Sequence, residues 1–275
     1  MPVDPHVLAS RSLHQLISLE GRRAVITGGA RGLGYAIATR FAEAGADIVL
    51  GDKNESGATD AAEALSRQFG RKISSALLDV TDSTIVAEFA REAERRLGGI
   101  DIWVNNAGAF PSASLIETTD EQWDFVHNVN LRGTFLGCRE AGRRMAAAGH
   151  GVIINITSVS GYRGRASISH YAAAKHGVAG LTKSLAMELG PKGVRVVAVS
   201  PAMTETPGLQ EQRAASDQTA TQDFRELERK ILATFPLGRF GQPDDVARVV
   251  LFAASDLAAF VTATTVFCDG GVSAF

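Results

Sequence analysis

Thr27-Gly28-Gly29-Ala30-Arg31-Gly32-Leu33-Gly34 follows the apolar run Ala24–Thr27 and leads into a helical pattern over 33–45. Glycines in such a turn permit a tight bend, let backbone amides approach a pyrophosphate, and allow close helix–sheet packing. The helix N-terminus adds a field favourable to a diphosphate. A glycine-rich turn alone is only a loop; its position between a first strand and a first helix makes it a dinucleotide site. Outward from this stretch, β-branched runs at Asp47–Leu50, Ile73–Leu78, Ile100–Val104, Gly151–Ile156, Arg195–Ser200 and Thr265–Cys268 read as further strands. Helical patterns lie between them at 56–69, 82–97, 119–148, 171–189 and 243–254. Strands that are apolar throughout, alternating with helices, predict an α/β protein with a doubly wound parallel sheet of seven strands, covered on both faces. Residues 21–275 form one domain after an extension, 1–20, with a helical turn through Leu13, Leu16 and Ile17. The segment 203–235, rich in Gln, Thr, Ala and charges, reads as irregular and functional.

Asp52 ends the second strand, eighteen positions after Gly34. A carboxylate there can accept both hydroxyls of an adenosine ribose and repels a 2′-phosphate. Two unit charges about 4 Å apart at an effective dielectric near 20 interact by roughly 4 kcal/mol, enough to decide a coenzyme. Arg31 pulls the other way, because a guanidinium in the glycine turn suits a 2′-phosphate; its bland reading is a solvated loop charge. NAD is favoured, with NADP the alternative.

With 275 residues, 45% of them hydrophobic, the chain can bury a substantial core. A net charge of −2 gives no electrostatic reason to expect nucleic acid or an anionic membrane as partner. Cys138 and Cys268 fit neither a metal nor a redox spacing, so no metal site is expected, and they suit a reducing compartment. No signal-peptide pattern or apolar run of spanning length is found, which reads as a cytoplasmic protein.

Tyr171 and Lys175 stand four residues apart, with Ser158 thirteen positions upstream of the tyrosine. On a helix, phenol and ammonium share a face. A nearby ammonium favours phenolate, so the expected phenol pKa falls from about 10 toward neutrality, as acid–base chemistry on an alcohol or ketone requires. Chance supplies such a Tyr–Lys pair about once in fifteen chains of this composition, so context decides.

That context resembles the short-chain dehydrogenase/reductase family in its single-domain Rossmann form, from about Leu19 to the C-terminus. The resemblance rests on the 27–34 turn, Leu78-Asp79-Val80, Asn105-Asn106-Ala107-Gly108, Asn128-Val129-Asn130, Ser158, Tyr171, Lys175, Pro201 to Thr206 and Asp269-Gly270-Gly271. It implies that Gly28, Arg31, Gly32, Leu33, Gly34 and Asp52 hold the dinucleotide, with Asp79 and Val80 at the adenine. Asn106, Ala107 and Gly108 would brace the sheet beside it, and Pro201, Thr204 and Thr206 would line the nicotinamide end. By the same resemblance Tyr171 is the acid–base residue, and Ser158 hydrogen-bonds the substrate oxygen. Lys175 holds the nicotinamide ribose and lowers the tyrosine's pKa, and Asn130 supports a water leading from the lysine to solvent. A homotetramer through 119–148 and 171–189 is implied as well. Two departures stand out. Pro201-Ala202 replaces Pro-Gly, and Val261-Thr262-Ala263 replaces Ile-Thr-Gly, the latter a matter of packing.

Substrate-pocket candidates are Phe110, Pro111, Ser160, Tyr162, His170 and Met203 with the 203–235 segment as a substrate-binding loop, beside Ser158 and Tyr171. Arg163 and Arg165 read as solvated, and His170 as a surface or packing residue. The expectation is an NAD(P)-dependent oxidoreductase interconverting a small or medium uncharged secondary alcohol and its ketone, working toward oxidation with NAD. The runner-up is an NADPH-dependent ketoreductase, such as a 3-oxoacyl thioester reductase. A catalytically silent nucleotide-binding scaffold is the remote alternative.

Overall fold

The computed structural model describes residues 5–217 and 223–274. Seven strands, β1 Arg23–Thr27, β2 Asp47–Asp52, β3 Ile73–Leu77, β4 Ile102–Asn105, β5 Gly151–Ile156, β6 Val194–Pro201 and β7 Thr265–Cys268, form one sheet. Their order is β3-β2-β1-β4-β5-β6-β7, with every pairing parallel. The seven-stranded parallel sheet expected from the sequence is present, with boundaries shifted by a residue or two.

The register shows why the strands are apolar throughout. Val49, Val25, Trp103, Ile153 and Val196 lie side by side across five strands. They face one core layer with Phe89, Leu136 and Met145. Their chain neighbours Leu50, Ile26, Val104, Ile154 and Val197 face the opposite layer with Phe41, Leu65 and Val250. Successive side chains on a strand point to opposite faces, so a sheet covered twice needs both sets apolar.

Two short helices come first, α1 Pro5–Ala9 and α2 Leu13–Ile17. Arg11 and Arg22 anchor this extension to Asp256 at 2.6 and 3.0 Å. Residues 1–4 of the expected extension lie outside the described residues. The covering helices are α3 Gly32–Glu43, α4 Glu55–Phe69, α5 Ser83–Leu97, α6 Asp120–His127, α7 Gly133–Ala148, α8 Ser169–Leu189 and, near the end, α11 Pro243–Ala254. The expected 119–148 helix is broken by a wider π-type turn over Asn128–Arg132.

The segment 203–235 is also corrected: it carries α9 Pro207–Asp217 and α10 Asp223–Leu232, with 218–222 outside the described residues. Its polar composition hid the helices. Few large apolar groups anchor the segment, chiefly Leu209 and Phe235, and much of its cohesion is ionic. Arg213 on α9 binds Glu205 at 2.5 and 2.8 Å, and its Nε donates to Glu228 of α10 at 2.6 Å. Among the described residues no helix is long and apolar enough to cross a membrane.

Strand order reverses between β1 and β4, and the crevice at their carboxyl ends is where such sheets bind ligands.

Candidate active site

A cavity of about 740 Å³ opens at those strand ends. At one end its wall includes Gly28, Arg31, Gly32, Leu33, Asp52, Asp79 and Val80; toward the middle come Asn106, Ala107, Gly108, Asn130, Pro201, Thr204 and Thr206. At the other end stand Ser158, Ser160, Tyr171, Lys175 and Met203. Gly34 lies behind the wall.

The turn at 27–34 is held open by close packing. Gly28 has φ +67°, and a Cβ there would meet Ala107 Cα and Asn106 Nδ2, each at 3.0 Å. A Cβ on Gly34 would stand 2.0 Å from the Gly28 carbonyl oxygen, closer than any real contact. Asn106 Nδ2 donates to the carbonyls of Thr27 and Gly28 at 2.9 and 3.1 Å. Thr27 Oγ1 in turn accepts the backbone amides of Asn106 and Ala107, both at 3.0 Å. The first and fourth strand ends are thus stitched together below the N-terminus of α3. A cradle that side chains would fill, beside a helix N-terminus, fits a dinucleotide pyrophosphate.

Asp52 is fixed before any ligand arrives, because its carboxylate accepts the amides of Ala30 at 3.0 Å and Asn54 at 2.9 Å. Arg31 is not a loose charge: it is paired with Glu211 of α9, with Nη2 to Oε2 at 3.1 Å. Asp79 accepts the amide and hydroxyl of Thr81 at 2.8 and 2.7 Å, which hold its carboxyl below the usual range. Lys53, not singled out from the sequence, adds an ammonium to this wall. Its position directly after Asp52 was the available signal.

At the catalytic end, α8 presents Tyr171 and Lys175 one turn apart, with the ammonium 5.6 Å from the phenol ring centroid. The ammonium donates to the Ile156 carbonyl at 2.9 Å. The expected lowering of the tyrosine's pKa is not found. Burial pushes the phenol up to about 12, against the Ser158 hydrogen bond and the positive charge of Arg165. Burial also brings Lys175 down to about 8. Both groups are shifted toward their neutral forms, because burial disfavours the charged form of each. Ser158 Oγ accepts the Ser160 amide at 3.1 Å and is hydrogen-bonded to the Tyr171 phenol.

Asn130 is wholly buried in the π-type turn. Its Nδ2 donates to the carbonyls of Ala109 at 2.7 Å and Val126 at 2.9 Å, and Oδ1 accepts the Ala109 amide at 3.3 Å. The wider turn leaves Val126 a carbonyl for the side chain to satisfy, which ties the turn to the loop after β4. Thr204 Oγ1 donates to the Ala202 carbonyl at 3.0 Å, while Thr206 Oγ1 accepts the Leu209 amide at 3.3 Å, at the start of α9.

Tyr162, expected in the substrate pocket, does not line the cavity. Its hydroxyl pairs with Thr265 and its ring packs on Phe267, centroids 4.8 Å apart, so β7 holds it away from the cavity wall. His170 is fully buried, with Nε2 3.1 Å from the Pro111 carbonyl. Wall residues missed from the sequence include Phe125 and Ile168, which come from separate segments with no common pattern, while Leu209 lies within the expected 203–235 loop. Arg165, read as solvated, is exposed but stands in the cavity wall.

A family model described as enoyl-(acyl carrier protein) reductase matches residues 28–273. A 3-oxoacyl-[acyl-carrier-protein] reductase of Chlamydia trachomatis is 36% identical over 255 residues, 93% of this chain and 98% of that one. The cis-4-hydroxycyclohexanecarboxylate dehydrogenase of Sinomonas cyclohexanicum is 41% identical over 257 residues, 92% of this chain and 97% of that one. A solved gluconate 5-dehydrogenase from Burkholderia cenocepacia, in complex with NADP and tartrate, superposes with a TM-score of 0.86. It is 37% identical and covers 96% of this chain and all of its own. With this likeness along nearly its whole length, the chain belongs to the short-chain dehydrogenase/reductase family of oxidoreductases.

Proposed function

We propose that the protein interconverts a secondary alcohol and a ketone of small or medium size by hydride transfer, with NAD the favoured coenzyme. One observation carries this reading: a single cavity joins a glycine cradle and the fixed carboxylate of Asp52 to Ser158, Tyr171 and Lys175. When bound, the nicotinamide supplies or accepts the hydride. The chain's residues handle the oxygen and its proton. Ser158 donates a hydrogen bond to the substrate oxygen, and Tyr171 exchanges the proton with it. Lys175 grips the neighbouring ribose, and Asn130 holds the loop that borders it.

A second reading, an NADPH-dependent ketoreductase, is favoured by the likeness to 3-oxoacyl-[acyl-carrier-protein] reductases. Arg31 and Lys53 supply positive charge for a 2′-phosphate, although Glu211 competes for Arg31. We also propose assembly into a homotetramer through α6, α7 and α8, which light scattering checks.

Steady-state kinetics on a panel of secondary alcohols and ketones, with NAD and NADP compared, test the reaction. Tyr171→Phe is expected to lower kcat by about 10³-fold with dinucleotide affinity unchanged. Equal turnover by that variant would refute the proposed chemistry, and a strong NADP preference would replace NAD.

A further inference from the structure

The charges of the cavity wall are unevenly placed. Its carboxylates, Asp52 and Asp79, stand at the dinucleotide end, where Arg31 pairs with Glu211. Around the substrate end the wall is apolar through Phe110, Ile168, Met203 and Leu209, and Arg165 is the added charge beyond Lys175. Of the arginines whose side chains are described, Arg165 and Arg229 alone have neither an ion pair nor a hydrogen bond. Arg229 lies on α10, away from the wall; Arg165 is close enough to the catalytic phenol for its charge to act there.

The backbone just after Arg165 is strained. Ser167 has φ +64°, a left-handed conformation that disfavours any residue with a Cβ by about 1–2 kcal/mol. Its carbonyl accepts the Ala113 amide at 2.9 Å, fastening the 163–168 segment to the loop after β4. The next residue, Ile168, is buried in the wall. A strained backbone fixed on both sides, carrying an unpaired guanidinium to the catalytic cavity, is the kind of strain that functional sites retain.

We propose that Arg165 is the substrate's anion-recognition residue, so that the substrate is a hydroxy acid or oxo acid with an apolar body and a carboxylate at Arg165. This rests on the proposed alcohol–ketone reaction and deepens it; it replaces the uncharged substrate expected from the sequence. A guanidinium binds a carboxylate through two parallel hydrogen bonds, which a neutral amide cannot reproduce.

The test is calorimetric titration of 5-oxohexanoate and of its neutral counterpart 5-oxohexanamide into protein saturated with the oxidised dinucleotide, where no hydride moves to a ketone. The oxo acid is expected to bind about tenfold tighter than the amide. Arg165→Met is expected to abolish that difference and leave amide binding and the melting temperature unchanged, and Arg165→Lys to restore part of it. Equal binding of acid and amide by the native protein, binding of neither at millimolar concentration, or equal losses for both in Arg165→Met would overturn the assignment. So would a larger loss for acetoacetyl-coenzyme A than for the oxo acid, which would give Arg165 to a thioester's phosphate. If the acid preference depends on Arg165 but no ketone or alcohol is turned over with either dinucleotide, the reaction fails while the anion site stands.

Discussion

At the dinucleotide end of the cavity the left-handed turns fall on glycines, Gly28 at φ +67° and Gly32 at +60°, whereas at the substrate end Ser167 holds φ +64°. The first end is relaxed. It is built from turns that follow β1, β2, β3 and β4, and hydrogen bonds stitch the first and fourth of them together, as from Asn106 to Thr27 and Gly28. The second end is assembled from the loop after β4, the 163–168 segment and α9, and it tolerates strain to place its side chains. The contrast teaches that one end relies on glycines for its turns and on hydrogen bonds between strand ends, whereas the other accepts backbone strain where a side chain is kept.

Gly34→Ala is expected to disturb the dinucleotide end most. With a Cβ 2.0 Å from the Gly28 oxygen, the turn must move, and dinucleotide affinity measured by fluorescence is expected to fall at least about 100-fold. Retained affinity would mean that the cradle is softer than its packing indicates. Next in size is Asn130→Ala, which strands the Val126 and Ala109 carbonyls in the interior. Denaturant unfolding is expected to show a loss of about 3 kcal/mol, together with reduced kcat. A loss below about 1 kcal/mol would show that water replaces the amide.

A pH experiment probes the boundary between the two ends. Lys175 has an ordinary pKa of 10.5 and a folded value of about 8, so between these values the unfolded chain binds more protons than the native one. Stability from this group therefore rises with pH across that window, and below it the cost of burying the ammonium is present in full. Native protein is expected to gain melting temperature relative to Lys175→Met as pH rises from 7.5 to 10. A constant difference would show that the ammonium is solvated. Tyr171, raised to about 12, acts with the opposite sign above pH 10, which is why the comparison stops there.

The smallest expected effect is that of Ser167→Gly. Relief of the left-handed strain is expected to stabilise the fold by about 1 kcal/mol, less the added backbone freedom of glycine, while KM for the best substrate rises. Stabilisation with KM unchanged would make the strain incidental and draw the two ends closer in kind.

The extent to which the site was legible follows the same division. Gly28, Asp52, Asp79 and Asn106 were found because each sits at a fixed offset from the end of an apolar strand. Ser158, Tyr171 and Lys175 were found because helical spacing brought two of them together and family resemblance supplied the third. Tyr162, adjacent in the chain to the catalytic stretch, was misplaced because Thr265 and Phe267, over a hundred residues away, decide where its ring lies.

By itself the sequence determined the doubly wound parallel sheet and the dinucleotide turn, since periodicity and glycine placement are local properties of the chain. Only the tertiary structure decided the raised phenol pKa, the π-type turn around Asn130, the helices within 203–235 and the place of Arg165 in the cavity wall. These depend on desolvation, on side-chain pairings such as Asn130 with Ala109 and Arg213 with Glu205 and Glu228, and on the path of the chain around the cavity, none of which hydrophobic periodicity encodes.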